Sequence, residues 1–172
     1  DLVAARRLLS EAGLSGGIDL ECRVLDLWQD DIALAEALAA QLAEVGVRMT
    51  PRLMNGREFW PGWLTHHFSL TPWTQRWLGS MTLGLGYRTG AAWNESSYSN
   101  PKFDELLTRA DGMVDPRARQ SVMAELQKLL QEDGPLIQPA WRHSWYAWDK
   151  RLTGFRPHSD PQLDLDQYAL VS

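Results

Sequence analysis

The sequence predicts an α/β fold, and three observations carry that expectation. Helical and strand-like hydrophobic periods succeed one another from residue 2 to residue 53, and glycines stand where the helical periods end. The chain is also 172 residues long, enough for one core that removes on the order of 70% of the unfolded surface from water. Leu2, Ala5, Leu8, Leu9 and Ala12 share a helical face, and Gly13 is placed to close that helix in a left-handed cap. After the Gly16-Gly17 turn, Ile18, Leu20, Cys22 and Val24 alternate with Asp19, Glu21 and Arg23, as in a strand with one buried face. Cys22 reads there as a small buried hydrophobe. Asp30 or Asp31 is expected to cap a second helix, with Ile32, Ala35, Leu38, Ala39, Leu42 and Val45 on its apolar side and Gly46 after its end. Val47, Met49, Pro51 and Leu53 alternate again, Pro51 favouring a sheet edge or a bulge. Strand, helix and strand in this order make a βαβ unit, for which a right-handed crossover is expected.

The middle of the chain changes character. Between residues 60 and 100 stand Trp60, Trp63, Phe68, Trp73, Trp77, Tyr87, Trp93 and Tyr98, against Arg76, Arg88 and Glu95 as the only charges. Phe68 to Trp73 suits a strand. Ser80 to Gly90, rich in glycine and small polar residues, reads as a long loop of the kind that usually serves function. Helices return at Asn100-Pro101 and Asp115-Pro116, where a capping residue precedes proline at the first helical position. Phe103, Leu106, Leu107 and Ala110 make the stripe of the first; Ala118, Val122, Leu126, Leu129 and Leu130 make that of the second, which Gly134-Pro135 stops. Leu136 to Trp148 reads as extended, and 157–172 as loop with a short final element.

Composition excludes several function classes. With 17 Lys+Arg against 22 Asp+Glu there is no broad basic face for nucleic acid. No run of 18 apolar residues suggests a transmembrane helix, and the single cysteine excludes an internal disulfide or a Cys-rich zinc site. The chain opens at Asp1 with no charged-then-apolar leader ahead of the helical pattern, so location is not legible in these residues. His66-His67, His143 and His158 are not expected to hold a metal: adjacent histidines on a strand face opposite ways, and no carboxylate falls at a useful offset. No Gly-x-Ser-x-Gly elbow is present, and Asp30-Asp31 and the pair Asp164 and Asp166 read as caps and solvated charge. Thr82 to Gly90 lacks the Lys-Ser/Thr ending of a phosphate cradle. Neither catalysis nor a cofactor is therefore expected.

What stands out is tryptophan, nine in 172 residues. Trp28 and Trp60 read as core. Trp73, Trp77, Trp93 and Tyr98 flank the glycine-bearing stretch and read as ligand-facing, since an aromatic ring offers a large rigid surface and a polar handle. Arg76 is the charge best placed to meet an anionic group, and Asn94 offers both donor and acceptor.

Several segments together resemble the C-terminal lobe of the family 5 extracellular solute-binding proteins, the dipeptide and oligopeptide receptors of ABC importers. Ala5 to Gly13 looks like that family's helix ending in Leu-Leu-x-Glu-Ala-Gly, and Ala35 to Val47 is similar to its next helix and turn. Trp93-Asn94 followed by Tyr98-Ser99-Asn100-Pro101-Lys102-Phe103-Asp104-Glu105-Leu106-Leu107 matches its Tyr-Ser-Asn-Pro-x-Phe-Asp-x-Leu-Leu signature. Arg119 to Pro139 and Gly154-Phe155 complete the pattern. The resemblance implies one lobe of a periplasmic-binding-protein type II fold, a mixed sheet flanked by helices, over the whole of residues 1–172. It implies a two-lobed receptor closing on its solute, so the expected partners are a peptide or small organic solute, the N-terminal lobe of the same polypeptide and the membrane permease of an ABC importer. The implied location is periplasmic or extracellular, lipid anchoring included. In peptide-binding members a Trp-x-x-Asp stretch sets a carboxylate against the peptide's ammonium; here Trp73-Thr74-Gln75-Arg76 has arginine at that position, which favours a carboxylate or phosphate instead.

Two other classes fit less of the sequence. The same lobe behind a DNA-binding domain would make a ligand-sensing cytoplasmic transcription regulator, and a helix-turn-helix upstream would mark it. A hydrolase using the tryptophans to hold its substrate would need a nucleophile or an acid/base pair within reach.

Overall fold

The computed structural model describes residues 1–74, 76–141, 143, 145–157 and 165–171. The expectations placed on Gln75, His158 and Asp164 lie outside these residues. The chain divides into two compact units, Asp1–Trp73 and Thr74–Ser172.

The first unit is the βαβ unit with its leading helix. Helix α1 (Leu2–Glu11) is capped by Asp1, whose carboxylate accepts from the amides of Val3 and Ala4, and Gly13 follows its end at φ +75°. Strand β1 (Ile18–Leu25), helix α2 (Gln29–Ala43) and strand β2 (Val47–Met54) follow. All eight residues of β1 pair in parallel with β2, from Ile18 opposite Val47 to Leu25 opposite Met54. Cys22, Val24, Ala35 and Met49 are buried together, with Leu20, Ile32, Leu38 and Leu42 packed around them. Burial pushes the Cys22 thiol up to about 11, so it is neutral at physiological pH. On the other face, Asp19 meets Arg48 in a two-pronged pair at 2.6 and 2.9 Å, and Glu21 lies 3.4 Å from Arg52.

Helix α3 (Gly56–Gly62), capped by the Asn55 side chain, and a short strand β3 (Ser69–Leu70) complete the unit. The sheet runs β2-β1-β3 and is parallel throughout, which leaves β2 and its Pro51 on an edge. β3 is shorter than the expected strand from Phe68 to Trp73, because Pro72 has no amide hydrogen to extend the ladder.

Three further expectations are corrected here. Neither Asp30 nor Asp31 caps α2: the cap position is Trp28, and both aspartates sit in the first turn, where their charge favours the helix dipole. Trp28 and Trp60 are not core residues, at 42% and 47% exposure. The core position in α3 belongs to Phe59, and Trp60 packs edge-on against it at 5.2 Å. His66 and His67 precede β3 rather than lying in a strand; His66 is buried, its ring edge-on to Phe59 at 5.0 Å.

The second unit is built on helices α4 (Gly79–Gly86), α5 (Pro101–Asp111) and α6 (Pro116–Asp133). The expected loop from Ser80 to Gly90 is thus corrected to a helix over most of its length. Glycine disfavours a helix by about 1 kcal/mol per residue, but Leu83 and Tyr87 pack on the α5–α6 core, and that tertiary contact outweighs the local cost. The core itself is Phe103, Leu106, Leu107 and Ala110 from α5 with Val122, Leu126 and Leu130 from α6. Ala118, expected on the same stripe, is exposed. Asn100 and Asp115 cap α5 and α6 through their side chains with proline following, and Gly134 ends α6 in a left-handed conformation at φ +63°. Among the described residues of 136–148 there is no helix or strand; β4 (Leu152–Thr153) and β5 (Ala169–Leu170) then form an antiparallel ribbon.

Candidate functional site

The residues singled out from the sequence fall into three groupings. Trp73 ends the first unit, half-buried, at the end of a run of aromatic rings. Phe59, Trp60, Trp63 and Trp73 follow one another at centroid distances of 5.2, 5.8 and 6.5 Å, the first two contacts edge-on. Sequence reading assigned Trp60 to the core and Trp63 to no role; their spacing three apart on one helical turn was the signal that they would meet.

In the second unit the structure brings Arg76 and Trp93 together. The Arg76 guanidinium carbon lies 5.9 Å from the Trp93 ring centroid, within cation–π range. Its Nη1 donates to the Thr74 hydroxyl at 2.6 Å and to the Thr74 carbonyl at 3.3 Å. Trp77, directly after Arg76, is 63% exposed. Arg88, the other cation of the stretch, lies 3.1 Å from Asp111 and donates to Thr108 at 3.0 Å.

Asn94 and Tyr98 form the third grouping, the Asn94 side chain engaged within the loop and the Tyr98 phenol on the end of α6. The Asn94 amide nitrogen donates to the carbonyls of Arg88 and Tyr98 at 3.2 and 2.8 Å. Its oxygen accepts from the Tyr98 amide and the Ser96 hydroxyl at 3.0 and 3.1 Å. One side chain therefore ties both ends of the segment that carries Trp93. Tyr98 stacks edge-on against Phe103 at 5.3 Å and donates its phenol to Asp133 at 2.5 Å, while Asn100 donates to the same carboxylate at 2.7 Å. Burial, then the bond to Asp133, pushes the Tyr98 phenol up to about 12, and the two donors hold the Asp133 carboxyl below the usual carboxylate range.

The signs set a window. A depressed carboxylate contributes stability above its ordinary value of about 4 and loses it as pH falls through the folded value; a raised phenol contributes below about 10 and loses it as pH rises towards 12. Tyr98→Phe is expected to remove one phenolate transition near pH 12 from the ultraviolet titration and to flatten the fall in stability between pH 10 and 12. A missing transition near pH 10 instead would contradict the bond between Tyr98 and Asp133.

Among the described residues, no group of histidine, cysteine, aspartate or glutamate is arranged to hold a metal ion, and no helix is long and apolar enough to cross a membrane. No family model matches the chain. A curated relative, the dipeptide-binding protein DppE of Bacillus subtilis (strain 168), is 24% identical over 79 residues, 46% of this chain and 14% of that protein. Among solved structures, AppA from Clostridium difficile matches with a TM-score of 0.80 at 16% identity, over 99% of this chain and 37% of that one. HbpA2 from Haemophilus parasuis matches at 0.77 and 20% identity, over 100% of this chain and 36% of that one. The ABC transporter-associated periplasmic binding protein DppA from Helicobacter pylori, solved with the peptide STSA, matches at 0.68 and 20% identity, over 78% and 28%.

These likenesses establish the fold: the chain is α/β, a small parallel sheet flanked by helices, matching a fragment of a periplasmic binding protein. The chain spans 28% to 37% of the length of these structures.

Proposed function

We propose that the chain is the C-terminal solute-binding lobe, over residues 1–172, of a family 5 extracellular solute-binding protein. The intact receptor would hand a peptide or related small organic solute to the permease of an ABC importer without chemical change. The observation that carries this reading is the coincidence of two independent features. The Tyr98–Leu107 signature fits the family, and the fold match to two solved neighbours runs over essentially the whole of this chain. A periplasmic or extracellular location follows from the same reading, as does a partner lobe within the same polypeptide. The sensor and hydrolase readings have no comparable support.

Within this reading, Trp73, Arg76, Trp77 and Trp93 are the proposed solute contacts. Asn94, whose side chain is bonded within the loop, and Tyr98, whose phenol is bonded to Asp133 of α6, would act by shaping the segment that carries Trp93. Lobe closure would change the surroundings of these indoles. Titrating the full-length protein with dipeptides, tripeptides, opines and sugar acids is therefore expected to change tryptophan fluorescence for at least one class. Trp73→Phe should lose much of that change. A variant that keeps the full signal would assign Trp73 to packing, and a protein silent to every class would count against the receptor reading.

A further inference from the structure

The chain between α6 and β4 is fastened at both ends. Leu136 packs on the α5–α6 core, and Phe155 gathers Tyr146, Trp148 and Tyr168 at centroid distances of 5.6, 4.6 and 5.7 Å. Between these anchors Trp141 and Trp145 are 87% and 90% exposed, and Ile137 is 61% exposed. Tryptophan ordinarily removes most of its large apolar surface from water, so two nearly bare indoles four residues apart mark a surface built to be covered. Ile137, Pro139, Trp141, His143 and Trp145 occupy every second position, and residues two apart share one face of a strand. His143 and Trp145 already lie side by side, their ring centroids 6.2 Å apart. The described residues here nevertheless form no strand. The β4–β5 ribbon that follows pairs two residues with two and leaves Leu170 exposed; a lone two-stranded ribbon is marginal in water. Segment and ribbon both lack the rest of a sheet.

We propose that residues 137–145 add as a strand to the edge of a sheet in the other lobe of the same polypeptide, whose apolar residues cover Ile137, Trp141 and Trp145. Pro139 has no amide hydrogen, which suits an edge position. Backbone pairing holds such a strand, and its alternate side chains fix the register. AppA and HbpA2 share the fold over 99% and 100% of this chain, while the chain spans only 37% and 36% of them. The fold that includes this segment therefore occurs in polypeptides with ample further chain to supply a sheet. The inference rests on the receptor reading above and names the segment by which this lobe grips its partner.

The test is amide hydrogen exchange of the full-length protein, read by mass spectrometry. The segment is expected to exchange at least about 100-fold more slowly than an unpaired chain, independently of protein concentration and without lipid. Trp145→p-benzoylphenylalanine, irradiated in the dilute full-length protein, should cross-link within one polypeptide to residues outside these 172. Trp141→Ser should speed exchange in the segment and lower the melting temperature; if that variant fails to fold, the wild-type exchange and the cross-link still decide. Exchange at the unpaired rate, or cross-links confined to residues 1–172, would overturn the inference. Protection that appears only as the protein dimerises would overturn it in favour of a second copy. Protection that appears only with phosphatidylcholine–phosphatidylglycerol vesicles would overturn it in favour of a membrane surface. Fluorescence titration of the same protein with the solute panel separates the two readings. Solute binding with a freely exchanging segment would overturn the inference and leave the receptor reading intact. A protected, cross-linked segment in a protein silent to every solute class would support the inference and count against the receptor reading.

Discussion

Phe103→Ala is expected to lower the stability of the second unit by about 3–5 kcal/mol, the usual cost of emptying a fully buried aromatic position. Phe103 has no solvent exposure and stands at the start of α5, against Leu106, Leu107, Val122 and Leu126. Its ring also supports Tyr98 edge-on at 5.3 Å. The loss therefore reaches the loop from Trp93 to Asn100, which is fastened at its far end by Tyr98 and Asn100 on Asp133. Phe103→Leu, which keeps most of the volume, should cost much less, and chemical denaturation followed by circular dichroism measures both. Equal small losses would mean that α5 does not anchor this core.

The second large effect is expected at Gly17. Its φ is +85°, and a side-chain carbon there would stand 2.3 Å from the carbonyl oxygen of Gly46, a backbone atom held by the Ile18 amide at 3.1 Å. That carbonyl cannot move without disturbing the first pairing of β1 with β2, Ile18 opposite Val47. Gly17→Ala thus combines left-handed strain with a backbone collision, and a loss on the order of 3 kcal/mol is expected. Gly46 provides the control. It has a similar φ of +88°, but an added carbon would meet only the Gly17 Cα at 3.5 Å, an ordinary contact. Gly46→Ala should then cost only about 1 kcal/mol, the strain alone. A reversed order of the two losses would refute the close approach of these turns.

Much of this architecture was legible because it rests on local rules. The alternation of Ile18, Leu20, Cys22 and Val24, and the 3.6-residue recurrence of Phe103, Leu106, Leu107 and Ala110, record which faces are buried. Asn100-Pro101 and Asp115-Pro116 mark helix starts because their side chains satisfy the first amides. Helix α4 was not legible, since its glycines argue locally for a loop and Leu83 is rewarded only when α5 and α6 are in place. The exposure of Trp28 and Trp60 was hidden for a related reason: size does not say which of two adjacent aromatics, Phe59 or Trp60, takes the core position.

The candidate site divides in the same way. The pairing of Arg76 with Trp93 joins residues seventeen apart across α4, a contact that no local period announces. An asparagine side chain looks the same in a sequence whether it meets a ligand or a backbone. The four bonds of Asn94 to Arg88, Ser96 and Tyr98 emerge only with the folded loop.

The central claim is that this chain is part of a receptor that binds a small solute and releases it unchanged. Native mass spectrometry of the full-length protein, incubated with the peptide and organic-acid panel and then denatured to recover the ligand, tests it most directly. The account predicts one solute per polypeptide, recovered at its original mass, with a matching rise in melting temperature from binding to the folded state. Recovery of a cleaved or otherwise altered ligand, absent from a control without protein, would contradict it.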